Sequence, residues 1–516
     1  MTYNFDRYYP DNRIFMHPSL PDSLPVALYT AQQVRELDRI AIQDRGIPGI
    51  KLMKAAGRTV FDEIDHRWPG APITVFCGAG NNGGDGYIVA ALALENRVPV
   101  ELIQVAPPEK LSGDGRTAYE YAQSVGVPMV PFSDCLDLQV GVIVDALLGT
   151  GLSGEVREPF AQAIRLINHS GLPVVAVDMP SGLSSDTGAA AEPTVDAEVT
   201  VTFIGLKQGL YTGRGPALCG DIIYNSLSVP SDIFDHVQPT ATQLQLGELM
   251  MSFPPRHRDA HKGDFGHVMV IGGDTGLGGA AAMAAEAALR TGAGLVSVAT
   301  RPEHVSAILA RRPELMVKGV SSGQELNPLL GSPTVLVVGP GLGRSPWSEQ
   351  MLQQAVAAGL PMVLDADALN IISGGRVVPN PEGTNWIMTP HPGEAARLLG
   401  ITNAEVQADR FSAVRALQKK FNCPVMLKGV GSLVCIAAEN PVGLCTAGNS
   451  GMASGGMGDV LSGIVGALLA QRLPSEIALP LGVCLHAEAA DRAAIGGERG
   501  LLATDLFEPL RQLVNG

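Results

Sequence analysis

Apolar residues along this chain recur at two spacings, and each predicts an element. Val34, Leu37 and Ala41 lie on one helical face behind Thr30 and Gln33, a pair with capping-box separation, and Gly46 offers a stop. The stretch "TAQQVRELDRIAIQDRG" is therefore read as the first helix. Short β-branched runs then alternate with helix-like stretches: "ITVFCG", "VPVELIQVA", "VGVIVDALLG", "PVVAVDMPSG" and "EVTVTFIG". Such alternation predicts a parallel sheet wrapped by helices. It weakens after "GDIIYNSLSV", and Pro230 to Gln245, "PSDIFDHVQPTATQLQ", is rich in turn residues. A boundary near Pro239 is expected there, giving domains 1–238 and 239–516. The second half repeats the architecture without repeating the sequence. "HVMVIGG", "LVSVAT", "TVLVVGPGLG", "PMVLDADALN", "NWIMTPHPGE", "PVMLKGVGSLV" and "VGLCTAG" read as strands, several ending in glycine or a polar group. Between the first two, "GGAAAMAAEAALRTGAG" reads as an alanine-rich helix. No shorter, solenoid-like period is present.

Composition agrees with two α/β domains. The 516 residues exceed the roughly 250 to 300 at which one core stops growing. With 46% hydrophobic residues, 61 glycines and 17% charged residues, the chain is compact and loop-rich rather than disordered. The net charge of -15 and the lack of Lys/Arg runs argue against nucleic acid and anionic membrane as partners. A small anion is still allowed, because backbone N–H groups at helix starts and glycine turns hold phosphate without positive side chains. Seven cysteines stand singly, with no CxxC pair, as expected of thiols in a reducing compartment. The start of the chain lacks the basic end and apolar centre of a signal peptide, and no run of eighteen apolar residues occurs. A cytoplasmic location is expected.

Two glycine clusters carry the chemistry. The first, "VFCGAGNNGGDG", follows a strand. Read as a dinucleotide fingerprint it uses Gly78, Gly80 and Gly83, with Glu101 at the distance of a ribose-binding acid. That version alone is unspecific, and no Walker lysine follows. Two further strand ends bear oxygen ligands, Asp145 in "VDALLGTG" and Asp178 with Ser181 in "VDMPSG". With Asn82 they form a hard donor set suited to an s-block cation. Taken singly, each acid is more readily a cap or turn residue than a ligand; three polar strand ends in one sheet shift that balance. The combination "GAGNNGGDG", "DALLGTGL" and "VDMPSGL" resembles the YjeF N-terminal domain, the NAD(P)HX epimerases, over about residues 28–229.

This resemblance implies a Rossmann-like three-layer α/β/α fold. It implies that Asn81, Asn82, Gly83, Gly84 and Asp85, with Gly149, Thr150, Gly151, Leu152, Ser153, Gly154 and Glu155, cradle the substrate's phosphates and ribose. It also implies that Asn82, Asp145 and Ser181 hold potassium and that Asp178 contacts the reacting end. Inversion at C6 of a hydrated nicotinamide needs proton transfer, and a carboxylate at a partly buried strand end is a reasonable acid and base. Asp178 takes that role here. Asp85 is the alternative for it, although its place inside a glycine turn favours a structural duty.

The second cluster is "GNSGMASGGMGDVLSG". Gly455, Gly456 and Gly458 stand before an apolar helix, placed to form an anion hole, with Asp459 beside a transferring phosphoryl group. The alternative is a tight turn with Asp459 as a cap. "LKGVGS" supplies a second glycine-rich strand end and the cation of Lys428. Together with "HKGDFGHVMVIGG", "VGPGLGR", "LDADALN" and "TPHPGE", this order of motifs resembles the ribokinase-like α/β fold, and within it the NAD(P)HX dehydratase domain.

The whole chain thus resembles the bifunctional NAD(P)H-hydrate repair enzymes. The resemblance places substrate contacts at Ala280, Gly343, His391 and Asp459, and nucleotide at Lys428, Gly429, Val430, Gly431, Ser432 and Gly458. It implies NADHX and NADPHX as substrates, both epimers interconverted in the first domain, and the S form dehydrated in the second. ADP, carried with Mg2+, would give AMP and phosphate; nothing in the residues distinguishes ADP from ATP. A homo-oligomer is expected. His391 can also merely shape its turn, Asp365 and Asp367 can cap their strand end, Glu394 can start a helix, and His261 and Lys262 can meet only solvent. Two rivals stand beside this reading: a ribokinase-like kinase for a vitamin precursor, and a non-catalytic binding module in the first half. A dehydrogenase lacks a hydride-transfer constellation.

Overall fold

The computed structural model describes residues 24–515 apart from 135, 137, 152, 153 and 379–384. The signal-peptide expectation, Leu152, Ser153 and Cys135 lie outside the described residues. Thr30 caps the helix Ala31–Arg39 with the reciprocal Gln33 bond of a capping box. Strands β1 (Ala27–Leu28), β2 (Ile73–Cys77), β3 (Val100–Gln104), β4 (Met129–Pro131), β5 (Val142–Ala146), β6 (Val174–Val177), β7 (Val199–Phe203) and β8 (Asp221–Asn225) come from the first half. All but β1 form a seven-stranded parallel sheet in the order β4-β3-β2-β5-β6-β7-β8. Its central strands β2, β5, β6 and β7 are buried, mostly apolar runs rich in valine, as a sheet covered on both faces requires.

The second half contributes β9 (Ala241–Gln243), β10 (His267–Ile271), β11 (Leu295–Thr300), β12 (Met316–Gly319), β13 (Val335–Val338), β14 (Met362–Leu364), β15 (Trp386–Met388), β16 (Val425–Leu427), β17 (Ser432–Cys435) and β18 (Val442–Cys445). With β1 these form an eleven-stranded sheet in the order β1-β9-β18-β17-β16-β15-β14-β13-β10-β11-β12.

Three expectations are corrected. "PVMLKGVGSLV" is not one strand but an antiparallel hairpin, β16 and β17, because Gly429 and Gly431 take positive φ and turn the chain back. The turn-rich linker holds β9, and β1 from the first half pairs with it rather than with its own sheet. "NNGGDG" is not a turn: Asn81 to Gly86 open the helix Asn81–Glu95. Its glycines answer to packing, since a Cβ on Gly83 would lie 2.2 Å from the Gly78 carbonyl oxygen and one on Gly86 would lie 2.6 Å from Ala146 Cβ.

Both sheets reverse strand order once within their parallel part, between β2 and β5 and between β10 and β13. At such switch points the loops leave a crevice at the carboxyl ends of the strands. One continuous apolar cluster runs from Leu206, Leu210 and Tyr211 to Leu427 and Leu433, so the halves share core.

Candidate active sites

The first site lies at the β2/β5 switch point, where a cavity of about 850 Å³ opens. Gly80 is the N-cap of the helix Asn81–Glu95 and provides no side-chain cap. The first intrahelical bond runs from Gly84 N–H to the Gly80 carbonyl, so the N–H groups of the three residues before Gly84 are left to a ligand or solvent. Asn81, Asn82 and Asp85 line the cavity with Gly149, Thr150, Gly151, Glu155 and Asp178. Gly83 and Gly84 are buried against Gly78 and Met53, and Gly154 is exposed. Glu101 is exposed within β3 and does not line the cavity, so the ribose-acid version of the fingerprint has no support.

Asp145 is fully buried at the end of β5. It accepts hydrogen bonds from Ser181 Oγ at 2.6 Å and Ser181 N–H at 2.8 Å. Asn82 is buried, and among the described residues neither its Oδ1 nor its Nδ2 has a partner. An orphaned carboxamide beside the cavity is the kind of group a bound cation satisfies. These three residues therefore fit a hard, oxygen-coordinated ion.

Asp178 follows β6 with φ of 67°, a conformation that costs a non-glycine residue energy and marks functional positions. Its Oδ1 pairs with the ammonium of Lys207, which also donates to Thr202 Oγ1 at 3.1 Å and the Phe203 carbonyl at 3.0 Å. These partners occupy all three ammonium donors. Asp178 Oδ2 has no partner among the described residues and Asp178 lines the cavity. Lys207 was not foreseen from the sequence; a lone lysine after "FIGL" carries no spacing signal. Around this pair, burial pushes the Asp38 carboxyl up to about 6. Burial, followed by the charge of Asp178, raises Asp85 well above its ordinary value. Asp85 lies in the helix facing the cavity, so the reading of it as a turn residue is corrected.

The second site gathers the ends of β14, β15 and β16 around the helix Met457–Ala470. Gly456, with φ of 95°, is its N-cap and offers no side-chain cap. Gly458 and Asp459 are thus in the first turn rather than before it, and Asp459 caps nothing. Val460 N–H is the first donor bonded to Gly456 O, which leaves the three preceding amides for a ligand or solvent. A Cβ on Gly458 would stand 3.0 Å from Lys428 Nζ and 3.5 Å from Asp365 Oδ2. Asp365 does not act as a cap either. Its buried carboxylate takes Lys428 Nζ at 2.5 Å and Ser462 Oγ at 2.6 Å, pinning the lysine to the helix start. Asp459 makes no hydrogen bond within the described residues; burial first and then the charge of Asp365 push it up to about 7.

Asp367 accepts from Gly343 N–H at 3.0 Å and so shapes the loop that carries Gly343. Ala280 faces the same loop, its Cβ 3.0 Å from where a Cβ on Gly341 would be. His391 caps its helix, Nδ1 accepting from Gly393 N–H at 3.0 Å, with Glu394 closing the box. Burial, then Lys428, lowers the His391 imidazole, and burial pushes Glu394 up to about 7. A different cavity, about 1220 Å³, lies at the amino ends of β10 and β11 between Phe265, Arg290 and Arg312; none of the expected site residues lines it.

Two sites at the carboxyl ends of parallel strands, each an uncapped helix start beside a carboxylate, define a two-site α/β enzyme. Residues 49–209 match the family model described as YjeF-related protein N-terminus, and residues 268–512 match the one described as NAD(P)H-hydrate dehydratase. A bifunctional NAD(P)H-hydrate repair enzyme of Coxiella burnetii is 49% identical, the alignment covering 95% of this chain and 99% of that one. Its counterpart in Escherichia coli is 42% identical over 96% and 95%. A crystal structure of the ADP/ATP-dependent NAD(P)H-hydrate dehydratase of Bacillus subtilis covers 52% of this chain and 97% of its own, at 26% identity and a TM-score of 0.47. The chain belongs to the family of bifunctional NAD(P)H-hydrate repair enzymes.

Proposed function

We propose that the chain returns hydrated NADH and NADPH to use: the first half interconverts the R and S epimers at C6, and the second dehydrates the S form at the expense of ADP, giving AMP and phosphate. Residues 1–238 and 239–516 are the two functional units. The observation that carries this reading is the repeated arrangement of an uncapped helix start beside a carboxylate with a free oxygen, Asp178 in one half and Asp459 in the other. Family membership supplies the substrate.

In the first half, the amides of Asn81, Asn82 and Gly83 and the loop from Gly149 hold the pyrophosphate. Asp178 Oδ2 moves the proton that opens and recloses the C6 centre, while Lys207 fixes Oδ1. Asn82, Asp145 and Ser181 would hold potassium, whose charge would offset the substrate's phosphates. In the second half, Lys428 to Ser432 and Gly458 hold the nucleotide. Asp459 takes the proton of the C6 hydroxyl as it attacks the terminal phosphoryl group, and the helix-start amides meet the charge that moves. Magnesium on the donor phosphates would neutralise part of that charge. The hydroxyl then leaves as phosphate, expelled by the ring nitrogen as the C5 proton departs. Ala280, Gly343 and His391 bound the hydrate. The acidic chain acts in the cytoplasm as a homo-oligomer.

The test is turnover of racemic hydrated NADH with ADP and Mg2+, following regained nicotinamide absorbance and released phosphate together. In potassium buffer, conversion runs to completion with one phosphate per NADH. In sodium buffer it slows sharply near half. No phosphate release and no regained absorbance, together with a stable phosphorylated product from a vitamin precursor, would instead favour the kinase.

A further inference from the structure

The epimerase half reaches into the dehydratase site. The segment that begins at Lys207, the partner of Asp178, runs on through Leu210 and Tyr211 to Thr212 and Gly213. There it meets the loop between β16 and β17. Gly213 N–H donates to the Val430 carbonyl at 3.3 Å, and Thr212 Oγ1 donates to the same oxygen at 3.2 Å. Arg410 completes the clamp from behind. Its Nε donates to Thr212 Oγ1 at 3.1 Å, one terminal nitrogen to the Lys428 carbonyl at 3.3 Å, and the other to the Gly431 carbonyl at 3.2 Å. The space is filled: a Cβ on Gly431 would lie 2.0 Å from the Tyr211 carbonyl oxygen, and one on Gly429 would lie 2.5 Å from Arg410.

A trans peptide sets its C=O and the following N–H on opposite sides. With the carbonyls of Lys428 and Val430 drawn to the back of the loop, the N–H groups of Gly429 and Gly431 are turned to its front, and neither has a partner among the described residues. Arg410 is fully buried and, among the described residues, bonded only to neutral oxygens. Burial lowers its guanidinium to about 10, still charged at neutral pH. A buried cation without a counter-ion behind a row of outward amides favours an anion in front.

We infer that Thr212, a residue of the epimerase half, is a positioning residue of the dehydratase: with Arg410 it holds the loop's carbonyls back, so that the Gly429 and Gly431 amides receive the nucleotide's phosphates. This rests on the proposed nucleotide site at Lys428 to Ser432. The fused chain is then more than a tether, since the first half shapes the donor site of the second.

The full-length Thr212→Val variant keeps the shape of the side chain and removes the hydroxyl. Its KM for ADP should rise about three- to tenfold, as for one lost hydrogen bond, with kcat changed less than about twofold. Thr212→Ser should restore the KM. Lys428→Met separates this inference from the site it rests on. If that variant raises the KM for ADP and Thr212→Val does not, the inference falls and the nucleotide site stands. If neither changes it, both fall. If Thr212→Val lowers Tm and kcat together and serine rescues neither, Thr212 is a packing residue only and the inference is overturned.

Discussion

Replacing Asp459 by asparagine is expected to lower dehydration of the hydrate by about 10² to 10⁴-fold, the range for a lost general base, while epimerisation continues at the wild-type rate. The carboxylate has no hydrogen-bond partner among the described residues, sits in the first turn of the Met457–Ala470 helix, and carries a pKa raised to about 7 by burial and the charge of Asp365. A base acts only when ionised. Wild-type kcat/KM for dehydration should therefore rise with pH and level off above about 7. The same shift affects stability with a definite sign. The folded state holds this proton more tightly than the unfolded chain, whose value is near 3.8, so the contribution is full below pH 3.8 and lost as pH rises through about 7. At pH 8 the asparagine variant should accordingly melt above wild type despite its lost activity. Paired rate and melting curves check both halves of the prediction.

The second large effect concerns Asp178. Asp178→Asn leaves the buried Lys207 ammonium without its counter-charge and removes the proton acceptor, so epimerisation should fall by at least about 10²-fold. Dehydration of the purified S epimer should persist. On a racemate the variant should consume half of the hydrate rapidly and the rest only at the uncatalysed rate of epimerisation. Epimerisation unchanged in Asp178→Asn would instead favour the binding-module reading of the first half. Lys207→Met should cause a similar loss, since its three donors all go to protein oxygens and it acts by fixing Asp178.

How far these sites were legible depended on whether a local pattern reported them. Strand ends were readable because buried parallel strands are continuous apolar runs, and a polar residue such as Asp145 or Asp178 closes each one. The helix at Asn81 was less readable. Three glycines within its opening turns, Gly83, Gly84 and Gly86, oppose helix propensity, and only the closeness of Gly78, Met53 and Ala146 explains them. The hairpin at Gly429 to Gly431 was hidden because its two strands are apolar on both sides of the turn. Lys207, Thr212 and Arg410 gave no signal at all: their roles come from contacts across long sequence separations, Thr212 to Arg410 spanning 198 residues. The two-residue strand β1 likewise exists only because β9 pairs with it.

Main-chain donors are expected to hold the acidic ligands in both halves, with Lys428 as a basic side chain beside them in the second. A crystal structure with NADPH and with ATP and Mg2+ tests it most directly. A pyrophosphate is expected on the amides of Asn81 to Gly83, and nucleotide phosphates between the Gly429 to Gly431 loop and the amides that start the Met457–Ala470 helix. Phosphates bound elsewhere, with both helix starts meeting only water, would contradict it.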